Sequence, residues 1–193
     1  MEHLNKLFLE YIFPSDYEWL LIAMYLIVFI VGVVGNFLVC FAVWRNKQMR
    51  TVTNIFIFNL STADLMVIIL VLPATVTVDV TETWFAGLIM CKCLMFLQNI
   101  SVSVSVLTLT AISVERFYAI CHPLRFRSTK KRARMVIGAI WLFSILVSSH
   151  EAIIFQTIPT SNHTVLLTSC RPPNEYFDQS ICYHAVSCYY MSL

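Results

Sequence analysis

The stretch CKCLMFLQNISVSVSVLTLTAISVERFYAICHP, residues 91–123, decides the fold. Its ISVSVSVL portion alternates with the period of a β-strand. The apolar tract from Leu94 to Val114 is nevertheless much longer than an ordinary strand of about 5–6 residues. It matches the roughly 20 apolar residues that a helix needs to cross a bilayer. We therefore predict a transmembrane helix whose serine and threonine side chains face other helices.

The whole chain has the composition of a membrane protein. Of its 193 residues, 59% are hydrophobic and only 12% are charged, against about 25% charged residues in a soluble domain. The net charge of +2 is too small to indicate nucleic-acid binding. The sequence contains no pattern typical of a nucleophile with its base, a phosphate-binding loop or a metal-ligand cluster. We therefore expect neither an enzyme nor a cofactor.

Hydrophobicity predicts five membrane segments, so we expect an all-α membrane protein. The last segment is too short to span a bilayer and is interpreted as the start of a fifth helix. Acidic residues interrupt the region where a signal peptide would lie, so we expect the first helix to direct insertion itself. Residues 156–179 are predicted to be a polar loop. The predicted segments are an extracellular N-terminus at 1–18 and helices at about 19–44, 53–78, 88–120, 135–157 and 180–193.

The distribution of basic residues predicts the orientation. Ten of the thirteen Lys and Arg residues fall on one side of the predicted helices, so we expect the N-terminus to lie outside. The sequon at Asn162, a glycosylation candidate, falls on the side assigned to the outside. Cys170 also lies on that side, where disulfides form, and it has two candidate partners, Cys91 and Cys93.

Polar residues inside the predicted helices are candidates for function. A carboxylate such as Asp64 is costly in a membrane and indicates function by default, unless it is a protonated packing residue. Gln98 and Asn99 either form interhelical hydrogen bonds or line a ligand pocket. Glu115 and Arg116 form either a surface ion pair or a switch that releases Arg116 towards a cytoplasmic partner.

Five motifs occur in order along the chain: Gly35-Asn36, Asn59-Leu60-Ser61 with Ala63-Asp64-Leu65, Cys91, Glu115-Arg116-Phe117 and Trp141. They resemble those of rhodopsin-like (class A) G-protein-coupled receptors. Four longer segments, WRNKQMRTVTN, LPATVTVDVTETWF, SVSVSVLTL and YAICHPLRFRSTKKRAR, are similar more narrowly to orexin receptors and the invertebrate allatotropin receptors.

The resemblance implies a seven-transmembrane-helix receptor bundle, of which this chain holds helices 1–4 and the start of the fifth. It implies a multi-pass protein of the plasma membrane, with a peptide agonist outside, a heterotrimeric G protein inside and a lipid bilayer between them. It favours Cys91 over Cys93 as the partner of Cys170. The site residues that it implies are Gln98, Asn99, Thr75, Asp79 and His184 for the ligand, Asp64 and Ser105 for a sodium ion, and Glu115, Arg116 and Leu124 for coupling to the G protein.

The resemblance also predicts two helices that this sequence does not contain, so we expect the fragment not to signal alone. Three alternatives stay open at this point. The chain is a truncated membrane protein that associates with or retains full-length receptors, a receptor for another peptide, or a four-helix transporter or scaffold. The motifs disfavour the last of these.

Overall fold

The computed structural model describes residues 16–81, 83–122, 129–161 and 164–173. Within them, four helices are long and apolar enough to cross a membrane. The prediction of a helical membrane protein is confirmed. The predicted fifth segment at 180–193 lies outside the described residues. The helices are α1 (Asp16–Arg45), α2 (Val52–Thr81), α3 (Gly87–Cys121) and α4 (Lys130–Ile154).

The first turn of α4 consists of residues that the hydrophobicity pattern placed in a loop. The helix begins at Lys130 instead of residue 135 and ends at Ile154 instead of residue 157. Thr129 precedes it, and its hydroxyl accepts a hydrogen bond from the Arg132 backbone N–H at 3.4 Å. A threonine in this position satisfies a free N–H of the first turn. The cap therefore begins the helix before the apolar residues start.

A wide turn interrupts α2. Residues Val52–Met66 and Leu72–Thr81 are α-helical, and Val67–Val71 between them form a π-helical turn. Pro73, just after this turn, has no N–H to donate to the preceding turn. The additional residue of a π-turn rotates all later side chains by about 100° relative to a regular helix. The part of α2 after this turn therefore presents a face that simple helical spacing does not predict. We call the helix ends on the side predicted to be extracellular the outer ends, and the opposite ones the inner ends.

An antiparallel hairpin follows α4, so the prediction of a polar loop is wrong for these residues. Strands β1 (Gln156–Ser161) and β2 (Thr164–Arg171) pair with Gln156 opposite Arg171 and Thr157 opposite Cys170. Their sequences, QTIPTS and TVLLTSCR, contain several β-branched residues, which favour strands. The hairpin packs against α3.

The buried residues form two clusters around α3. The outer cluster combines Val71, Trp84, Cys91, Leu94 and Phe155, so α2, α3 and the hairpin meet there. The second cluster lies deeper between α2, α3 and α4 and contains Ala63, Ile100, Val104 and Ile140. Most apolar side chains of α1 are exposed, as expected of a helix that faces lipid. Both clusters contain residues of α3, which is therefore the central helix of the described part of the chain.

A hydrogen-bonded group of three side chains joins α2, α3 and α4. Asn59 donates to the Thr108 hydroxyl at 2.9 Å, and the Trp141 indole N–H donates to Asn59 Oδ1 at 2.8 Å. Asn59 and Thr108 are buried. Because hydrocarbon offers no other partners, these bonds fix the relative positions of the three helices.

Candidate ligand and coupling sites

A disulfide attaches the hairpin to the outer end of α3. Cys91 and Cys170 are bonded with their Cα atoms 5.7 Å apart, and Cys93 is free and exposed. The structure therefore pairs Cys170 with Cys91, as the resemblance implied. A second attachment lies nearby, because the Trp84 backbone N–H donates to Thr168 O at 2.7 Å. The hairpin is held over the outer end of the helices at two points.

One face of α3 runs from this disulfide to the middle of the helix. Cys91, Gln98 and Ser105 are spaced by about two helical turns each, so their side chains lie on one face. Cys91 bonds the hairpin, and Ser105 donates a hydrogen bond to Asp64 of α2. Gln98 is half-buried between those two contacts. Asn99, also half-buried, lies about a quarter turn away from this face.

The predicted ligand residues of α2 lie one turn apart near its outer end. Thr75 donates its hydroxyl hydrogen bond to its own helix, at Val71 O, 3.1 Å away. Asp79 is exposed and accepts a 2.6 Å hydrogen bond from the Tyr25 hydroxyl of α1. The sequence prediction did not include Tyr25. No local pattern identifies it, because the contact depends on the packing of α1 against the outer part of α2.

Asp64 and Ser105 provide the oxygen atoms of the predicted sodium site. Ser105 Oγ lies 3.3 Å from Asp64 Oδ1, and both side chains are half-buried between α2 and α3. A carboxylate and a hydroxyl are hard oxygen ligands, so these residues fit an alkali-metal cation. The described residues contain no group of three His, Cys, Asp or Glu side chains that could hold another metal ion.

The inner ends of α2, α3 and α4 line a mostly apolar, partly open cavity of about 300 Å³. Glu115 lines this cavity, and Arg116 next to it is exposed. The wall of this cavity contains none of the predicted ligand-binding residues that the structure describes. Glu115 and Arg116, the described residues of the predicted coupling set, thus lie near the C-terminal end of α3, and Gln98 and Asn99 of the predicted ligand set lie in its N-terminal half. Other residues of the cavity wall are Val52, Phe56, Tyr118, Arg132 and Val136.

Three predicted site residues lie outside the described residues. They are His184 of the predicted ligand set, Leu124 of the predicted coupling set and Asn162 of the glycosylation sequon. Their assignments stay predictions.

Sequence comparison identifies the family. Residues 35–193 match the 7 transmembrane receptor (rhodopsin family) profile. This match covers well over half of the chain, so the protein belongs to the rhodopsin family of seven-transmembrane receptors. Since that family consists of signalling receptors, the expectation that the chain is not an enzyme is confirmed.

Two similar proteins are receptors named for peptides. The QRFP-like peptide receptor of Branchiostoma floridae is 41% identical over 130 residues, which are 66% of this chain and 34% of that receptor. Neuropeptide FF receptor 1 of Rattus norvegicus is 40% identical over 145 residues, which are 75% of this chain and 34% of that receptor. The chain spans about a third of the length of these relatives. Neither is named for orexin or allatotropin, so the narrower resemblance stays a prediction.

Proposed function

We propose that this chain is the ligand-facing part of a neuropeptide receptor that couples peptide binding outside the cell to a heterotrimeric G protein inside. The family and the two relatives support this class of function. The observation that carries it is the position of Gln98. This half-buried amide lies on the face of α3 between the hairpin disulfide and the Asp64–Ser105 contact.

The peptide binds at the outer ends of α2 and α3 below the hairpin. Gln98 and Asn99 supply amide groups there, and Thr75 and Asp79 line the side formed by α2. A neutral Gln98 in place of a carboxylate disfavours a monoamine as the ligand. The narrower resemblance makes peptides of the orexin and allatotropin type candidate agonists. The names of the two relatives add QRFP and neuropeptide FF.

The remaining assignments follow from the same orientation. The N-terminus and the hairpin are extracellular, and Asn162 is glycosylated. Arg116, with Glu115 and Leu124, contacts the G protein at the inner end of α3. A sodium ion binds at Asp64 and Ser105 and, like any ligand of one conformation, shifts the receptor towards the state that binds it.

The test is a peptide panel applied to cells that express the coding sequence containing these 193 residues. QRFP, neuropeptide FF, orexin and allatotropin are added separately, and G-protein activation is recorded. At least one peptide should activate, and cells without the receptor should not respond. Gln98→Ala should then reduce potency about two- to tenfold, the effect of one neutral hydrogen bond, without changing surface expression. Gln48→Ala, in the short turn after α1, is the matched control and should leave potency unchanged.

Silence of all four peptides at a receptor that reaches the cell surface would contradict the proposed function. A response with unchanged potency in Gln98→Ala would remove Gln98 from the binding site and leave the receptor class in place.

A further inference from the structure

Most acidic residues of this chain lie on the side assigned to the outside. Nine of the eleven Asp and Glu residues, all except Asp64 and Glu115, lie in the segments assigned to the outside or near the helix ends next to them, together with only three of the thirteen Lys and Arg residues. A surface with such an excess of carboxylates attracts cations and repels anions before contact. The charge pattern therefore favours a basic ligand.

One of these carboxylates is held in a defined position. The Tyr25 hydroxyl donates to Asp79 Oδ2 at 2.6 Å, joining α1 to the outer end of α2. An O–H···O⁻ bond of this length is typical of a charge-assisted hydrogen bond. The bond restricts the rotation of the Asp79 side chain and engages one of its two oxygens. Oδ1 keeps its lone pairs for another donor.

The basic residues described on the outer side do not neutralise Asp79. Lys92 directs its ammonium group to Ile153 O of α4 at 3.5 Å. Arg171 belongs to β2 of the hairpin, and its Nε is buried. Among the residues that the structure describes, the recorded hydrogen-bond partner of the Asp79 carboxylate is the neutral phenol of Tyr25. An exposed, oriented carboxylate next to the predicted ligand site suits a cationic group of the ligand.

We propose that Asp79 binds an arginine or lysine side chain of the peptide and that Tyr25 is the residue that positions the Asp79 carboxylate for this contact. The proposal rests on the proposed function and adds the chemical class of ligand group that the outer end of α2 recognises. A purely structural role for the Tyr25–Asp79 bond, which would only hold α1 against α2, predicts a different result. In that case, loss of Asp79 would weaken all peptide analogues equally, whatever their charge.

The experiment combines receptor variants with charge variants of the peptide. The probe is whichever of QRFP, neuropeptide FF, orexin and allatotropin activates the receptor best. Analogues replace each arginine by citrulline and each lysine by norleucine, one at a time. Each analogue is measured on the unchanged receptor and on Asp79→Asn, Tyr25→Phe and the Tyr25→Phe/Asp79→Asn double variant. Tyr17→Phe, an exposed tyrosine on the same helix, is the matched control.

Asp79→Asn should lower the potency of the natural peptide about ten- to a hundredfold, the effect of losing a hydrogen bond to a charged group. One neutral analogue should be equally weak on the unchanged receptor and should lose nothing further on Asp79→Asn. Tyr25→Phe should cost about two- to tenfold, as expected for one hydrogen bond, and should have no effect once Asp79 is replaced. Tyr17→Phe should match the unchanged receptor.

Two outcomes would overturn this proposal, and the experiment separates them. Activation with an equal loss for charged and neutral peptides, or with no loss at all, in Asp79→Asn overturns this proposal and leaves the receptor function intact. No activation by any of the four peptides overturns the proposed function and this proposal with it.

Discussion

Trp84 and Thr168 join the connection before α3 to the hairpin through two hydrogen bonds. The Trp84 N–H donates to Thr168 O at 2.7 Å, and the Thr168 hydroxyl donates to Trp84 O at 2.6 Å. Trp84 is buried beside Cys91 in the outer cluster. The hairpin is therefore fixed both by these bonds and by the Cys91–Cys170 disulfide, which gives the proposed ligand site a stable outer wall.

Loss of the disulfide should destabilise this outer wall. Cys170→Ser should lower the unfolding temperature of the purified protein, because the bond closes a segment with a sequence separation of 79. Removing a native disulfide typically costs about 2–5 kcal/mol. Cys93→Ser, which changes a free and exposed cysteine of the same helix, should leave the unfolding temperature unchanged. Equal unfolding temperatures for Cys170→Ser and the unchanged protein would contradict the importance of this bond.

The polar group that joins α2, α3 and α4 should contribute to stability. Thr108→Val removes the acceptor of the Asn59 side chain at a buried position. We expect a loss of about 1 kcal/mol, within the range for hydrogen bonds between membrane helices. Thr110→Val is the control, because the exposed Thr110 hydroxyl bonds only its own helix, at Val106 O. The unfolding temperatures of Thr108→Val, Thr110→Val and the unchanged protein are measured in the same detergent. An equal loss in both variants would contradict the prediction.

The contact between α1 and α2 should tolerate only small residues at Gly32. A Cβ atom at this position would lie 2.6 Å from Ile68 Cδ1. Gly32→Ala should have a small effect because Ile68 can rotate its terminal methyl group away. Gly32→Val should cost about 1–3 kcal/mol, as in other overpacked contacts. Gly138→Val is the control, since no atom lies within 4 Å of a Cβ there, and thermal unfolding should show the Gly32→Val loss alone.

Sodium should stabilise the protein through Asp64 and Ser105. An ion that binds the folded state raises the unfolding temperature as its concentration increases. Replacing sodium chloride by choline chloride at constant ionic strength should therefore lower the unfolding temperature of the unchanged protein. Asp64→Asn should abolish this difference, and Ser105→Ala should reduce it. A sodium dependence that persists in Asp64→Asn would place the ion elsewhere.

The transmembrane helices could be predicted because each consists of a long apolar tract with few charges. The alternating ISVSVSVL portion of α3 did not change this result, because the length of the tract is decisive. The ends were less predictable. Thr129 begins α4 through a hydrogen bond to the backbone, which a hydrophobicity pattern does not register.

The π-turn and the hairpin depend on weaker signals. Pro73 indicates an irregularity in α2, but the sequence does not specify a turn with one additional residue. The two strands of the hairpin are short, and their β-branched residues around Asn162-His163 are the signal that could have identified them.

The candidate sites were predictable where the resemblance supplied the positions. It paired Cys91 with Cys170, which form a disulfide. It also assigned Asp64 and Ser105 to one site, and Ser105 Oγ lies 3.3 Å from Asp64 Oδ1. The contact between Tyr25 and Asp79 was not predictable, because it joins residues 54 positions apart. Such a pair depends on how α1 packs against the part of α2 beyond the π-turn.

The central claim is that the two ends of α3 have separate tasks, peptide binding outside and G-protein coupling inside. The most direct test measures peptide affinity and G-protein activation side by side for Arg116→Ala, with the exposed Arg45→Ala at the inner end of α1 as the control. We predict that Arg116→Ala binds the activating peptide and fails to activate the G protein, while Arg45→Ala does both. Full activation by Arg116→Ala would contradict the claim.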